Sequence, residues 1–99
     1  MAELELRQKQ QVKNLDYDPV TMDDGTVLDF TLRQEGGKSI VRCSAKKDGK
    51  EIGYGTWNTL SDRFSIRVEP MSRTDAKALA EAVFSGIMQI VETELLQTL

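Results

Sequence analysis

Two glycine turns constrain this chain more than any other feature. Gly36-Gly37 and Asp48-Gly49 each lie between stretches in which apolar and polar residues alternate. Gly-Gly and Asp-Gly suit type I′ hairpin turns, which need positive φ at both central residues. Alternation with a period of two is the pattern of a half-buried strand. It runs through residues 27–34 (Leu28, Phe30, Leu32), 39–46 (Val41, Cys43, Ala45), 51–58 (Ile52, Tyr54, Thr56) and 63–69 (Phe64, Ile66, Val68). With Gly36-Gly37 at a tip, Leu32 faces Val41, Phe30 faces Cys43 and Leu28 faces Ala45. With Asp48-Gly49 at a tip, Ala45 faces Ile52, Cys43 faces Tyr54 and Val41 faces Thr56. The longer loop 58–62 then sets Thr56 opposite Phe64 and Tyr54 opposite Ile66. Both turns send the same side of the middle strand inward, and a one-residue slip in either would reverse that.

Pro70 ends the fourth strand. Ser72, with Asp75 three residues on, is a weaker form of the capping box and starts a helix expected to run to about Thr98. Leu79, Ala80, Val83, Phe84, Ile87, Val91 and Leu95 form its apolar stripe. The expected fold is therefore α+β: a four-stranded antiparallel meander with one long C-terminal helix on one face (ββββα), spanning residues 27–99. Residues 1–26 precede it as a short segment. Leu4, Val12 and Leu15 form a sparse helical stripe there, although Leu4 and Leu6 alternate like a strand; a short helix is expected, Asp16-Tyr17-Asp18-Pro19 breaks it, and Asp23-Asp24-Gly25 turns into the first confident strand.

The 99 residues suit one domain, and 39% apolar with 29% charged residues is ordinary globular composition. No run approaches the roughly 18 apolar residues of a membrane span. The acidic N-terminus lacks a hydrophobic signal core, and one cysteine, Cys43, cannot form an internal disulfide, so a cytoplasmic location is expected. Net charge is −3, which argues against coating duplex DNA by bulk charge. Only the middle of the chain is basic: residues 27–69 hold eight Lys/Arg against six Asp/Glu.

That middle segment yields the first candidate surface. The straight register places Trp57 on the outer face of the sheet, between Ile40 and Arg63, with Arg33, Arg42 and Arg67 nearby and Gly53 and Gly55 as flat ground. Arginine beside an exposed aromatic is the composition of a protein hot spot. It also serves single-stranded nucleic acid, with guanidinium for phosphate and ring for base. The plainer alternative is a solvated face with Trp57 covered by residues 1–20. The second candidate is a line of small residues on the helix, Ala78, Ala82 and Gly86, continued by Ile90. Alanine alone would reflect helix propensity, but glycine in a helix interior costs about 1 kcal/mol relative to alanine. A helix of roughly 40 Å would overhang the strands and leave Met88, Ile90, Leu95, Leu96 and Leu99 in need of cover from the N-terminal segment or a second chain. Self-association is expected, with Ala78, Ala82, Gly86 and Ile90 as the contact line.

Catalytic signals are sparse. The absence of histidine removes the commonest general base and any Ser-His or Cys-His pair. Cys43 is expected inward and inert. Asp16, Asp18, Asp23 and Asp24 lack the spacing of a calcium loop, and neither a zinc spacing nor a phosphate loop is present. No metal, cofactor or enzymatic activity is expected; an enzyme with its substrate under the helix is the remote alternative. The element order ββββα resembles that of single-stranded nucleic-acid binders of the PUR-repeat and whirly kind, which bind through curved sheets and dimerise. The likeness covers residues 27–98 and is one of topology: none of their sequence motifs is present, and the acidic balance departs from theirs. The expected function is a small non-catalytic homodimeric module that binds a protein partner through its exposed sheet face. The alternative is single-stranded DNA or RNA on the same face, with no membrane association.

Overall fold

The computed structural model describes residues 14–96. Its strands are β1 (Asn14–Asp16), β2 (Val20–Thr21), β3 (Val27–Glu35), β4 (Lys38–Lys47), β5 (Lys50–Asn58) and β6 (Arg63–Val68). They form one antiparallel sheet in the order β1-β3-β4-β5-β6, with β2 pairing farther along β3. Helix α1 (Arg73–Ile90) packs on one face and continues as a π-helical segment, Val91–Leu96. The fold is α+β with one C-terminal helix, as expected, but the sheet has six strands rather than four. Residues 14–21 hydrogen-bond along the free edge of β3, split into two short strands around Asp18-Pro19, where proline has no amide to donate. The helix expected around Leu4–Leu15 falls outside the described residues except at its end, where Asn14–Asp16 is strand instead; the expected helix end near Thr98 also lies outside them.

Both glycine turns form. Gly36 and Gly37 have φ of 64° and 81°, and Asp48 and Gly49 have φ of 53° and 78°. The β3–β4 hairpin keeps an unbroken register that pairs Leu32 with Val41, Phe30 with Cys43 and Leu28 with Ala45. The β4–β5 hairpin does not. Lys47 pairs with Lys50 and Lys46 with Glu51, but Ala45 pairs with Gly53. Ile52 is the extra residue of a β-bulge. Beyond it every β5 side chain points to the face opposite the expected one: Cys43 lies across from Gly55 and Val41 from Trp57. Across β5 and β6 the pairs are Trp57 with Phe64, Gly55 with Ile66 and Tyr54 with Arg67. The expected pairs Thr56–Phe64 and Tyr54–Ile66 are thereby overturned.

Helix α1 starts as the sequence indicates, with Ser72 Oγ accepting the Asp75 amide at 3.1 Å. Its buried residues Leu79, Val83, Ile87 and Ile90 meet Leu28, Phe30, Leu32, Val41, Cys43, Ala45 and Trp57 of the sheet. The glycines of β5 set how closely it approaches. A Cβ on Gly55 would lie 2.5 Å from Val83 Cγ1, and one on Gly53 would lie 3.0 Å from Leu79 Cδ2. The helix therefore rests on bare backbone along β5. Its C-terminal end is better covered than expected. Ile90 and Val91 are buried, and Met88 and Leu95 pack against the core. Leu15, Tyr17 and Met22, from the added strands and the turn after them, extend the same layer.

Candidate functional site: the outer face of the sheet

Residues that alternate with the core make up the face turned away from α1. Cross-strand pairing arranges them in rows. Arg33, Ile40, Asn58 and Arg63 form one; Thr31, Arg42, Thr56 and Ser65 the next; Asp29, Ser44, Tyr54 and Arg67 a third. β1 and β2 extend the sheet sideways, so among the described residues no element covers this face. An open depression is lined by Glu51, Tyr54, Thr56, Ser65 and Arg67. Another lies among Arg33, Lys38, Ile40 and Arg42.

The cations on this face are not equivalent. Arg33 is tied down: Nη2 meets Asp16 Oδ1 at 2.8 Å, and Nη1 donates to the carbonyls of Leu15 (3.2 Å) and Leu32 (2.9 Å). Its guanidinium fastens β1 to β3. Ser44 Oγ donates to Glu51 Oε2 at 2.8 Å, which holds one carboxylate near the rim. By contrast, the ion pairs of the described residues leave out Arg42, Arg63 and Arg67. All three are exposed. Tyr54, 39% exposed, sits directly across from Arg67 and one pair along from Arg42. A ring edge and free guanidinium groups therefore share one open surface, able to contact carboxylates, phosphates or planar groups.

The structure moves Trp57 off this surface. Its side chain is 8% exposed within the core, and Nε1 donates to Asp62 Oδ1 at 3.3 Å. The bulge at Ile52 is the cause, because it reverses the faces of β5. Tyr54 takes the exposed aromatic position. The sequence did carry a signal for this. Glycine within a strand marks a bulge or a close backbone approach: Gly53 follows the bulge, and both Gly53 and Gly55 receive α1 closely. Arg33, Ile40, Arg42, Arg63 and Arg67 lie on the outer face, where the sequence placed them.

The small-residue line of α1 does not form an open seam. A Cβ on Gly86 would collide with the Phe30 ring, so this glycine makes room for a ring of its own chain. Ile90 is buried and Ala82 half-buried; only Ala78 is exposed. Ala82, Gly86 and Ile90 line a groove of about 600 Å³ together with Tyr17, Val20 and Phe30.

Cys43 is fully buried, and desolvation, helped by Asp29, pushes its thiol up to about 12. It stays protonated near neutral pH and is a poor nucleophile. In the turn before β3, the Thr26 amide donates to Asp24 Oδ1 at 2.9 Å. That bond, with Lys47 close by, holds the Asp24 carboxyl below its usual range. Among the described residues no cluster of His, Cys, Asp or Glu could hold a metal ion. No described helix is long and apolar enough to cross a membrane. No known protein family, curated protein or solved structure matches this chain.

Proposed function

We propose that the chain is a small non-catalytic interaction module that works as a homodimer and binds a protein partner through the outer face of its sheet. One observation carries this reading: among the described residues Arg42, Arg63 and Arg67 have no ion pair and nothing covers their face, on which the exposed Tyr54 stands across from Arg67 and beside the row of Arg42. Tyrosine and arginine are enriched in protein hot spots, where rigid rings and forked donors give contact area at low entropic cost. Ile40 supplies an apolar neighbour. The free cations on a chain of net charge −3 suit an acidic segment of the partner, held by local complementarity rather than by bulk charge.

The same arrangement supports a second reading, single-stranded DNA or RNA, with the Tyr54 ring under a base and Arg42 and Arg67 on phosphates. Nuclear magnetic resonance titration separates the two, with a short Asp/Glu-rich peptide and a short oligo(dT) as probes. A protein-binding face shifts the amides around Tyr54, Arg42 and Arg67 with the peptide, and Arg42→Glu with Arg67→Glu abolishes the shifts. A nucleic-acid face responds to oligo(dT), with affinity falling steeply as salt rises. Absence of any response on this face to both probes sinks both readings.

A further inference from the structure

The sheet ends in two unlike edges. On the β3 side, β1 and β2 are three and two residues long and are interrupted by Asp18-Pro19. Short strands and proline blunt an edge against further pairing. On the other side β6 pairs, among the described residues, with β5 alone, and Arg63–Val68 contains neither a proline nor a bulge. The Glu69 amide donates to the Ile52 carbonyl at 2.9 Å. Backbone groups alternate in direction along an antiparallel ladder. Those of Arg67 and Ser65 therefore serve β5, while those of Phe64, Ile66 and Val68 face the open edge. Above that edge Phe84 is 47% exposed. Its ring stands edge-on to Phe64, with centroids 4.9 Å apart and an interplanar angle of 87°.

We propose that β6 pairs antiparallel with β6 of a second copy of this chain, about a two-fold axis at Ile66, joining the two sheets into one. The proposal rests on the homodimeric reading above and assigns its seam. Strand overlap and charge together select the register, since an axis at Phe64 or Val68 would leave much of Arg63–Val68 unpaired. Keeping both helices on one side of the joint sheet requires helix-facing residues to meet helix-facing residues. An axis at Ser65 would set Arg63 against Arg67 of the second copy, and an axis at Arg67 would set that arginine against itself. Like charges directly opposite are destabilising. An axis at Ile66 sets Arg63 opposite Glu69, Ser65 opposite Arg67, Phe64 opposite Val68 and Ile66 opposite its own copy. The two-fold makes each of the first three contacts twice. The same register satisfies the outward backbone groups of Phe64, Ile66 and Val68. Phe84, held against Phe64, covers the helix side of the seam. On the other side the two outer faces merge into one surface of double width.

Sedimentation velocity on the whole chain tests this, with circular dichroism to verify folding. The wild type should sediment at twice the 11.1 kDa chain mass. Arg63→Glu and Glu69→Arg, both at exposed positions, should each raise the dimer dissociation constant roughly 10- to 100-fold, because two like-charge pairs replace two opposite-charge ones. The double reversal should restore it. Ile66→Cys gives a second readout: residues facing each other at a two-fold lie within disulfide reach, so oxidation should link two chains there and not at Ser65→Cys. A wild type that stays monomeric at high micromolar concentration overturns the homodimeric reading and the seam together. A dimer indifferent to both single reversals, or cross-linked through Ser65→Cys instead, overturns the seam alone.

Discussion

On the helix side of β5, Gly53 and Gly55 present bare backbone and Trp57 fills the space beyond them. On the other side of the same strand, Tyr54 and Thr56 stand in the open among Arg42, Ser65 and Arg67. The two faces differ in how much each atom matters. Under α1 there is no room for one methyl group at Gly55, since Val83 already occupies it. Glycine weakens a strand because it packs no side chain; here the close seating of α1 offsets that loss. The outer face has no such constraint, so its residues are free to be charged, and three arginines there have no ion pair among the described residues. The core side specifies the fold and leaves the other side available for recognition.

The contrast would break first at Trp57. Its ring is buried among core residues and its indole N–H is bonded to Asp62. Trp57→Ala should cost about 3–5 kcal/mol, a large part of the roughly 5–15 kcal/mol that holds a domain of this size together. Urea unfolding of the whole chain measures it. A loss below about 1 kcal/mol would put Trp57 on the surface and restore the straight register of β5.

Gly55 comes next. Gly55→Ala should destabilise the chain by about 1–3 kcal/mol, the usual cost of overpacking. Because the clash is with Val83 Cγ1, adding Val83→Ala should recover part of it, so that the two changes together cost less than the sum of each alone. Strict additivity in the same unfolding assay would mean that α1 does not rest on β5 at this point.

These positions also mark where the sequence is legible. The two turns could be read because positive φ at successive residues is nearly confined to glycine, aspartate and asparagine. The meander and helix followed from period and capping. The bulge could not be read from either turn, because Ile52 is absorbed after the turn has formed correctly. Its trace was indirect: the straight register sent Thr56 into the core and Trp57 out of it. β1 and β2 left no trace, since two or three residues have no period to count and pair only because β3 offers an edge. At Gly86 the pattern showed that something large lies close. It did not show that the large group is Phe30 of the same chain. The outer face was legible in its arginines, which lie on β3, β4 and β6, and misread in its aromatic, which lies beyond the bulge.

The mildest substitution, at Tyr54, separates the two faces of β5 most directly. Tyr54 lies three residues before Trp57 on the same strand, and both are large aromatics in a sheet. If burial alone decides their roles, Tyr54→Ala should change stability by less than about 1 kcal/mol, the scale of strand propensity at an exposed site. Its ring has no aromatic partner among the described residues, and its removal opens no cavity beneath α1. Peptide or oligo(dT) binding should nevertheless weaken by about 1–3 kcal/mol if the ring stacks on a ligand. A stability loss matching that of Trp57→Ala would mean that the outer face is packed against something within the chain itself. An unchanged fold with weakened binding would assign the two sides of β5 to separate tasks.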